Sequence, residues 1–191
     1  MAVERAAIWL IVGDSGSGKT TFCQGLIAAC RERRLNVRGV ICPARFEASK
    51  KVGIDVLDLT TGERHKLGWQ KAFAAESRFS PAPIMIGEWL LDPQVIQWGN
   101  LVLQQSVPCD VLVIDELGPL EFIEGKGWQE ALRVLESGAY RLGLVTVRES
   151  LRHAVHHRWR VEREIGLKNY PSLESALAEG REWLAQLWEQ A

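Results

Sequence analysis

A lysine held between a glycine and a threonine, at the end of a run with three glycines, is equipped to grip a polyphosphate. The run is Gly13-Asp14-Ser15-Gly16-Ser17-Gly18-Lys19-Thr20, which satisfies G-x-x-x-x-G-K-[ST] at every fixed position. Its glycines let the backbone curl until N–H groups point inward at phosphate oxygens. Lys19 has the reach for the β- and γ-phosphates, and the Thr20 hydroxyl is a hard oxygen ligand suited to Mg²⁺. The expected nucleotide contacts are these eight residues and Thr21.

A second chemical feature is Ile114-Asp115-Glu116, an acidic pair at the carboxyl end of an apolar run. In P-loop enzymes a carboxylate in that place helps hold Mg²⁺, the role expected of Asp115. Glu116, one residue on, is placed to orient a water and take its proton, so Glu116 and Lys19 are the expected catalytic residues. Two adjacent carboxylates beside a polyphosphate repel it unless a divalent cation compensates them. Mg²⁺ is therefore the expected cofactor, held by Thr20 and Asp115.

The elements that must position these groups are legible around them. Ile8 to Val12 is a short continuous apolar run, the pattern of a parallel strand buried on both faces. Phe22, Leu26 and Ile27 then recur at helical spacing, so the glycine loop opens a helix whose positive end faces the phosphates. Arg31 to Arg34 suits that helix's carboxyl end. Val37–Cys42 and Val52–Leu59 read as further strands, with a turn at Thr60–Glu63. Pro81, Pro83 and Pro93 break the middle into short pieces, among them a brief strand at Ile84–Ile86 and a helix around Val95–Val102. Strands follow at Cys109–Asp115, Leu142–Val147 and Val161–Ile165, with a helix over Trp128–Leu135 and a last helix from its capping Ser172. Alternation of this kind predicts a three-layer α/β/α domain of the P-loop type over residues 1–191, with a mainly parallel sheet and a small β-hairpin near residues 43–64.

At this point the chain resembles a known family. Val113-Ile114-Asp115-Glu116-Leu117-Gly118-Pro119-Leu120-Glu121 is similar to the "DEIG-x-ME" signature of the small P-loop nucleoside-triphosphatases first described from thermophiles, which include the human cancer-related nucleoside triphosphatase. Residues 39–64 resemble the hairpin of that family, although the family's hairpin arginine falls nearest Phe46, with Arg45 one residue early. The resemblance implies slow hydrolysis of ATP, GTP and other nucleoside triphosphates to diphosphate and phosphate, with loose base preference. It also implies a sheet in which Leu142–Val147 lies between the P-loop strand and the Asp115 strand. Two other readings of a P-loop stand beside hydrolysis. One is a nucleoside or nucleotide kinase that passes the γ-phosphate to a small molecule, and the other is a nucleotide-controlled adaptor for a protein partner.

Other groups are weaker candidates. Thr146 ends a strand where it could sense phosphate or water, and Arg45, Arg64 or Arg148 could neutralise transition-state charge. His153 and His157 stand four apart within the basic stretch Arg152–Arg160, with no acidic or thiol ligand to complete a metal set, so a solvated basic helix face is expected. The chain has 191 residues, 47% of them hydrophobic and 25% charged, and a net charge of −1. That balance argues against a nucleic-acid or membrane surface, although Trp159 among the arginines leaves RNA open. Four widely spaced cysteines, no basic leader in Met1–Arg5 and no long apolar span lead to the expectation of a reduced, cytoplasmic protein.

Overall fold

Ala7–Val12 (β1) is apolar at all positions and buried at all of them, so the strand requires cover on both faces. The computed structural model of the chain describes residues 6–74 and 79–189; Met1–Arg5, on which the expectation of no leader rests, lie outside them. After β1 come α1 (Lys19–Glu32), β2 (Val37–Ile41), β3 (Ala44–Glu47), β4 (Lys50–Asp58) and β5 (Arg64–Gln70). Two short strands, β6 (Ile84–Ile86) and β7 (Trp89–Leu91), lead into α2 (Pro93–Gln104), which Asp92 caps by accepting from the Gln94 N–H. Then follow β8 (Cys109–Leu117), α3 (Pro119–Phe122), α4 (Gln129–Ser137), β9 (Tyr140–Val147), α5 (Arg152–Arg158), β10 (Arg163–Gly166) and α6 (Leu173–Glu189).

The strands form one sheet in the order β10-β1-β9-β8-β2-β4-β5-β7-β6, with β3 paired to β4. From β10 to β2 every pairing is parallel. Strand β9 lies between β1 and β8, as expected from the family resemblance. Successive side chains of β1 serve opposite cores, because a strand alternates its faces. Trp9 and Ile11 pack with Phe22 and Leu26 of α1 and with Leu184 of α6. Ile8, Leu10 and Val12 share a core with α2, α4 and α5. The layers are therefore α/β/α. Ser172 caps α6 as its sequence indicates, its Oγ accepting from the Ser175 N–H at 3.1 Å.

The antiparallel part is larger than a hairpin over residues 43–64. Strands β4, β5, β7 and β6 extend the sheet beyond β2, through pairings that reach Leu91. Arg64–Gln70 carries three basic residues and one glycine, so it lacks a clear apolar alternation and reads poorly as a strand. Tertiary pairing with β4 and β7 makes it one.

Candidate active site

The carboxyl ends of β1, β8 and β9 converge at the sheet edge where open α/β sheets bind ligands. The loop from Gly13 to Gly18 leaves β1 there and enters α1 through Gly16 and Gly18, at φ +81° and +92°. Those left-handed values are why glycine is needed at both. The first N–H groups of α1 have no intrahelical acceptor and face the loop interior, together with the helix dipole. Asp14, Ser15, Gly16, Ser17 and Thr21 are exposed, whereas Lys19 is buried. Its Nζ donates to the carbonyls of Gly13 at 2.8 Å and Asp14 at 3.0 Å, which holds the ammonium inside the curl of the loop.

Asp115 is fully buried, and three donors fix its carboxylate. Thr20 Oγ1 and the Cys42 N–H both donate to Oδ2 at 2.9 Å, and Thr146 Oγ1 donates to Oδ1 at 2.6 Å. Burial foremost, and then the Glu116 charge, push its carboxyl up to about 6, against the pull of those three hydrogen bonds. A buried carboxylate under that strain favours a cation beside it.

Glu116 sits in a break of the sheet. The β8–β9 register shifts between Ile114 and Leu117, and Glu116 takes φ +69°, a left-handed conformation unusual for a residue with a side chain. Its N–H donates to Thr146 Oγ1 at 2.8 Å. Bulges of this kind re-aim a side chain. Here Asp115 is directed inward to Thr20 while Glu116, half-buried, lines the cleft over the phosphate loop. Thr146 is buried. Its hydroxyl is engaged by Asp115 and by the Glu116 N–H, so it positions both carboxylates.

The candidate arginines divide. Arg45 and Arg64 both pair with the buried Asp55, at 2.6 and 2.7 Å, and Arg45 also lies over the Trp69 ring. Both are tied into the antiparallel extension of the sheet. Arg148 is exposed and lines a second cleft that also touches Glu116. Sequence reasoning missed Lys51. That residue of β4 lines the same cleft as Gly16, Lys19 and Glu116, with its ammonium 4.9 Å from the centre of the Trp89 ring. Burial lowers its pKa, with Glu116 opposing and the neighbouring cations Lys19 and Arg148 adding to the fall. A single lysine in a hairpin has no spacing signature by which to find it.

The basic stretch is a largely exposed helix face, as expected, and several of its charges pair with acids of other elements. Arg152 and His156 both contact Glu164, at 2.9 and 2.6 Å, and Arg158 pairs with Glu136. Trp159 is buried and meets Phe122 edge-on. Among the described residues there is no cluster of three or more His, Cys, Asp or Glu that could hold a metal. No helix of the described residues is long and apolar enough to cross a membrane.

With loop, lysine and paired acids in place, comparison with known proteins decides the family: its profile, described as NTPase, matches residues 9–169. This chain belongs to that NTPase family. It is similar to the nucleoside-triphosphatase THEP1 of Methanopyrus kandleri, 27% identical over 185 residues that cover 93% of this chain and 97% of the relative. It is also similar to THEP1 of Saccharolobus solfataricus, 32% identical over 112 residues that cover 58% and 59% of the two chains. Among solved structures, that of a human cancer-related nucleoside triphosphatase superposes with a TM-score of 0.60 at 22% identity, over 84% of this chain and 88% of the other. That likeness speaks for the fold, and the family for nucleoside-triphosphatase activity. Mg²⁺, which P-loop NTPases generally use, fits the oxygens present. The Thr20 hydroxyl and the Asp115 carboxylate are hard donors already 2.9 Å apart, and Mg²⁺ typically takes one or two protein ligands beside phosphate and water.

Proposed function

We propose that this NTPase hydrolyses ATP, GTP and other nucleoside triphosphates to the diphosphate and phosphate, with Mg²⁺, loose base preference and slow turnover. The observation that carries the reading is the left-handed bulge that turns Glu116 toward the phosphate-loop cleft while Asp115 stays buried against Thr20. In this mechanism the loop residues Gly13–Thr21 wrap the phosphates, and Lys19 exchanges its two carbonyl acceptors for phosphate oxygens. Thr20 and Asp115 would hold Mg²⁺, which when bound neutralises charge on the β- and γ-phosphates. Glu116 accepts a proton from the attacking water as its oxygen bonds to the γ-phosphorus, and the electron pair of the broken bond leaves on the diphosphate. Lys51 faces the charge that builds on the transferring group.

Loose base preference is supported by a site whose gathered polar groups address phosphate. Slow turnover is supported by the two arginines spent on Asp55. The third candidate, Arg148, does not line the phosphate-loop cleft, so turnover should be about 10⁻⁴ to 10⁻² s⁻¹, the range of P-loop hydrolases without a partner's arginine. Phosphate release from ATP, GTP, CTP and UTP, with Mg²⁺ or with EDTA, tests the reading. Turnover above about 1 s⁻¹ in water would mean that a stronger cationic group already acts within the chain. Equal rates in Mg²⁺ and EDTA would remove the metal from the mechanism.

A further inference from the structure

Hydrolysis needs room for one water beside Glu116, yet a second cleft opens on that residue. It is lined by apolar side chains, among them Ile54, Leu67, Ile86, Leu91, Trp89 and Trp128. Glu116 is the residue that the linings of this cleft and of the phosphate-loop cleft share. The other carboxylate in the lining, Glu121, is already engaged, since it accepts the N–H groups of Gly118 and Trp128, both at 2.7 Å. The other charged residues in the lining are Glu116 and Arg148.

We infer that this cleft is an acceptor site, and that the chain can pass the γ-phosphoryl group to the hydroxyl of an alcohol with an aromatic or alicyclic body. The inference rests on nucleotide binding at the phosphate loop as proposed above. Pockets that bind small molecules are mostly apolar with a few placed polar groups, and aromatic walls suit a ring. The charge of the lining selects among acceptors. A nucleoside monophosphate carries a dianion that kinases meet with several cations, whereas this cleft offers one arginine beside a carboxylate. A ring alcohol without a phosphate is the matching class.

The step is an in-line displacement. Glu116 takes the hydroxyl proton, the alcohol oxygen bonds to the γ-phosphorus, and the bond from that phosphorus to the β–γ bridging oxygen breaks with its electron pair remaining on the diphosphate. The proton then passes from Glu116 to solvent. An alcohol seated in the cleft also displaces the water that would otherwise attack.

The experiment supplies γ-³²P-ATP and Mg²⁺ to the full chain, with 2-phenylethanol, indole-3-ethanol or cyclohexylmethanol at millimolar concentration. Glycerol and AMP serve as the comparison acceptors. The expected result is label in at least one ring-alcohol phosphate, at least tenfold above that in glycerol phosphate. In Ile86→Glu, which places a charge in the cleft wall, the ratio of alcohol phosphate to free phosphate should fall at least tenfold. Ile86→Trp, which fills the cleft without charge, should lower the same ratio. Label only in free phosphate, label shared equally with glycerol, or label in AMP would each overturn the inference while leaving hydrolysis standing. Loss of all ATP turnover by the wild-type chain would overturn the hydrolytic reading with it.

Discussion

Asp115 and Glu116 are neighbours in sequence and opposites in environment, which assigns them different consequences on mutation. Asp115 accepts three hydrogen bonds in full burial, and Glu116 faces a cleft from a left-handed backbone. Asp115→Asn removes the charge that would balance the cation in ground and transition state alike, so it should weaken Mg²⁺-nucleotide binding. Glu116→Gln keeps size and a hydrogen-bonding carbonyl but cannot take a proton. Nucleotide affinity should then hold while single-turnover hydrolysis falls by about 10² to 10⁴. Calorimetric titration and quenched-flow measurement of both variants separate the two roles, and a Glu116→Gln protein at the wild-type rate would exclude Glu116 as the base. Lys19→Ala should abolish tight triphosphate binding in the same titration, because backbone N–H groups cannot replace an ammonium on two phosphates. The loop and the acid pair were legible in sequence because their chemistry demands fixed spacing. Lys51 was not, because its place at the cleft depends on how β3 and β4 fold back over the loop.

That fold-back turns on two residues poorly suited to it. Strands β3 and β4 are joined through Ala48 and Ser49, with Glu47 opposite Lys50 and both linking residues in the left-handed region, at φ +45° and +66°. Positive φ at both central positions is the requirement of a type I′ turn, for which Asn-Gly is the favoured pair. Ala-Ser gives no such signal. The hairpin was therefore expected only in outline, while the turn at Thr60–Glu63 was located by its glycine. A left-handed residue other than glycine or asparagine costs roughly 1–2 kcal/mol. The double substitution Ala48→Asn, Ser49→Gly should thus stabilise the protein by about 1–2 kcal/mol, read as a higher urea midpoint at unchanged slope. No gain, or a loss, would mean that the turn is not of this type. At the other end of the chain Ser172→Ala should cost about 1 kcal/mol, because the Ser175 N–H loses its acceptor at the start of α6.

For the whole molecule, the centre of the parallel half of the sheet was legible because β1, β8 and β9 each contain a continuous apolar run beside a helix of matching period. The antiparallel half was legible only in β4 and β6, since β5 and β7 are polar or short and gain their state from pairing. One buried carboxyl fastens the seam behind the Asp115 strand and gives the molecule a pH dependence. Glu121 accepts the N–H groups of Gly118, just after β8, and of Trp128, just before α4. Burial raises its pKa from 4.5 to about 7, the two backbone donors oppose that rise, and the Glu116 charge adds a smaller push upward. Between those values the folded protein keeps a proton that the unfolded chain has released, so stability must fall as pH rises through the window and level off above it. The loss attributable to this one group is up to about 3 kcal/mol. Urea unfolding at intervals from pH 4.5 to 8 should show the decline. Glu121→Gln should flatten this part of the slope, although the variant is less stable throughout because an amide has one carbonyl for two donors. Identical slopes in the wild type and the variant would show that Glu121 is already ionised across this range, with the two N–H groups outweighing burial.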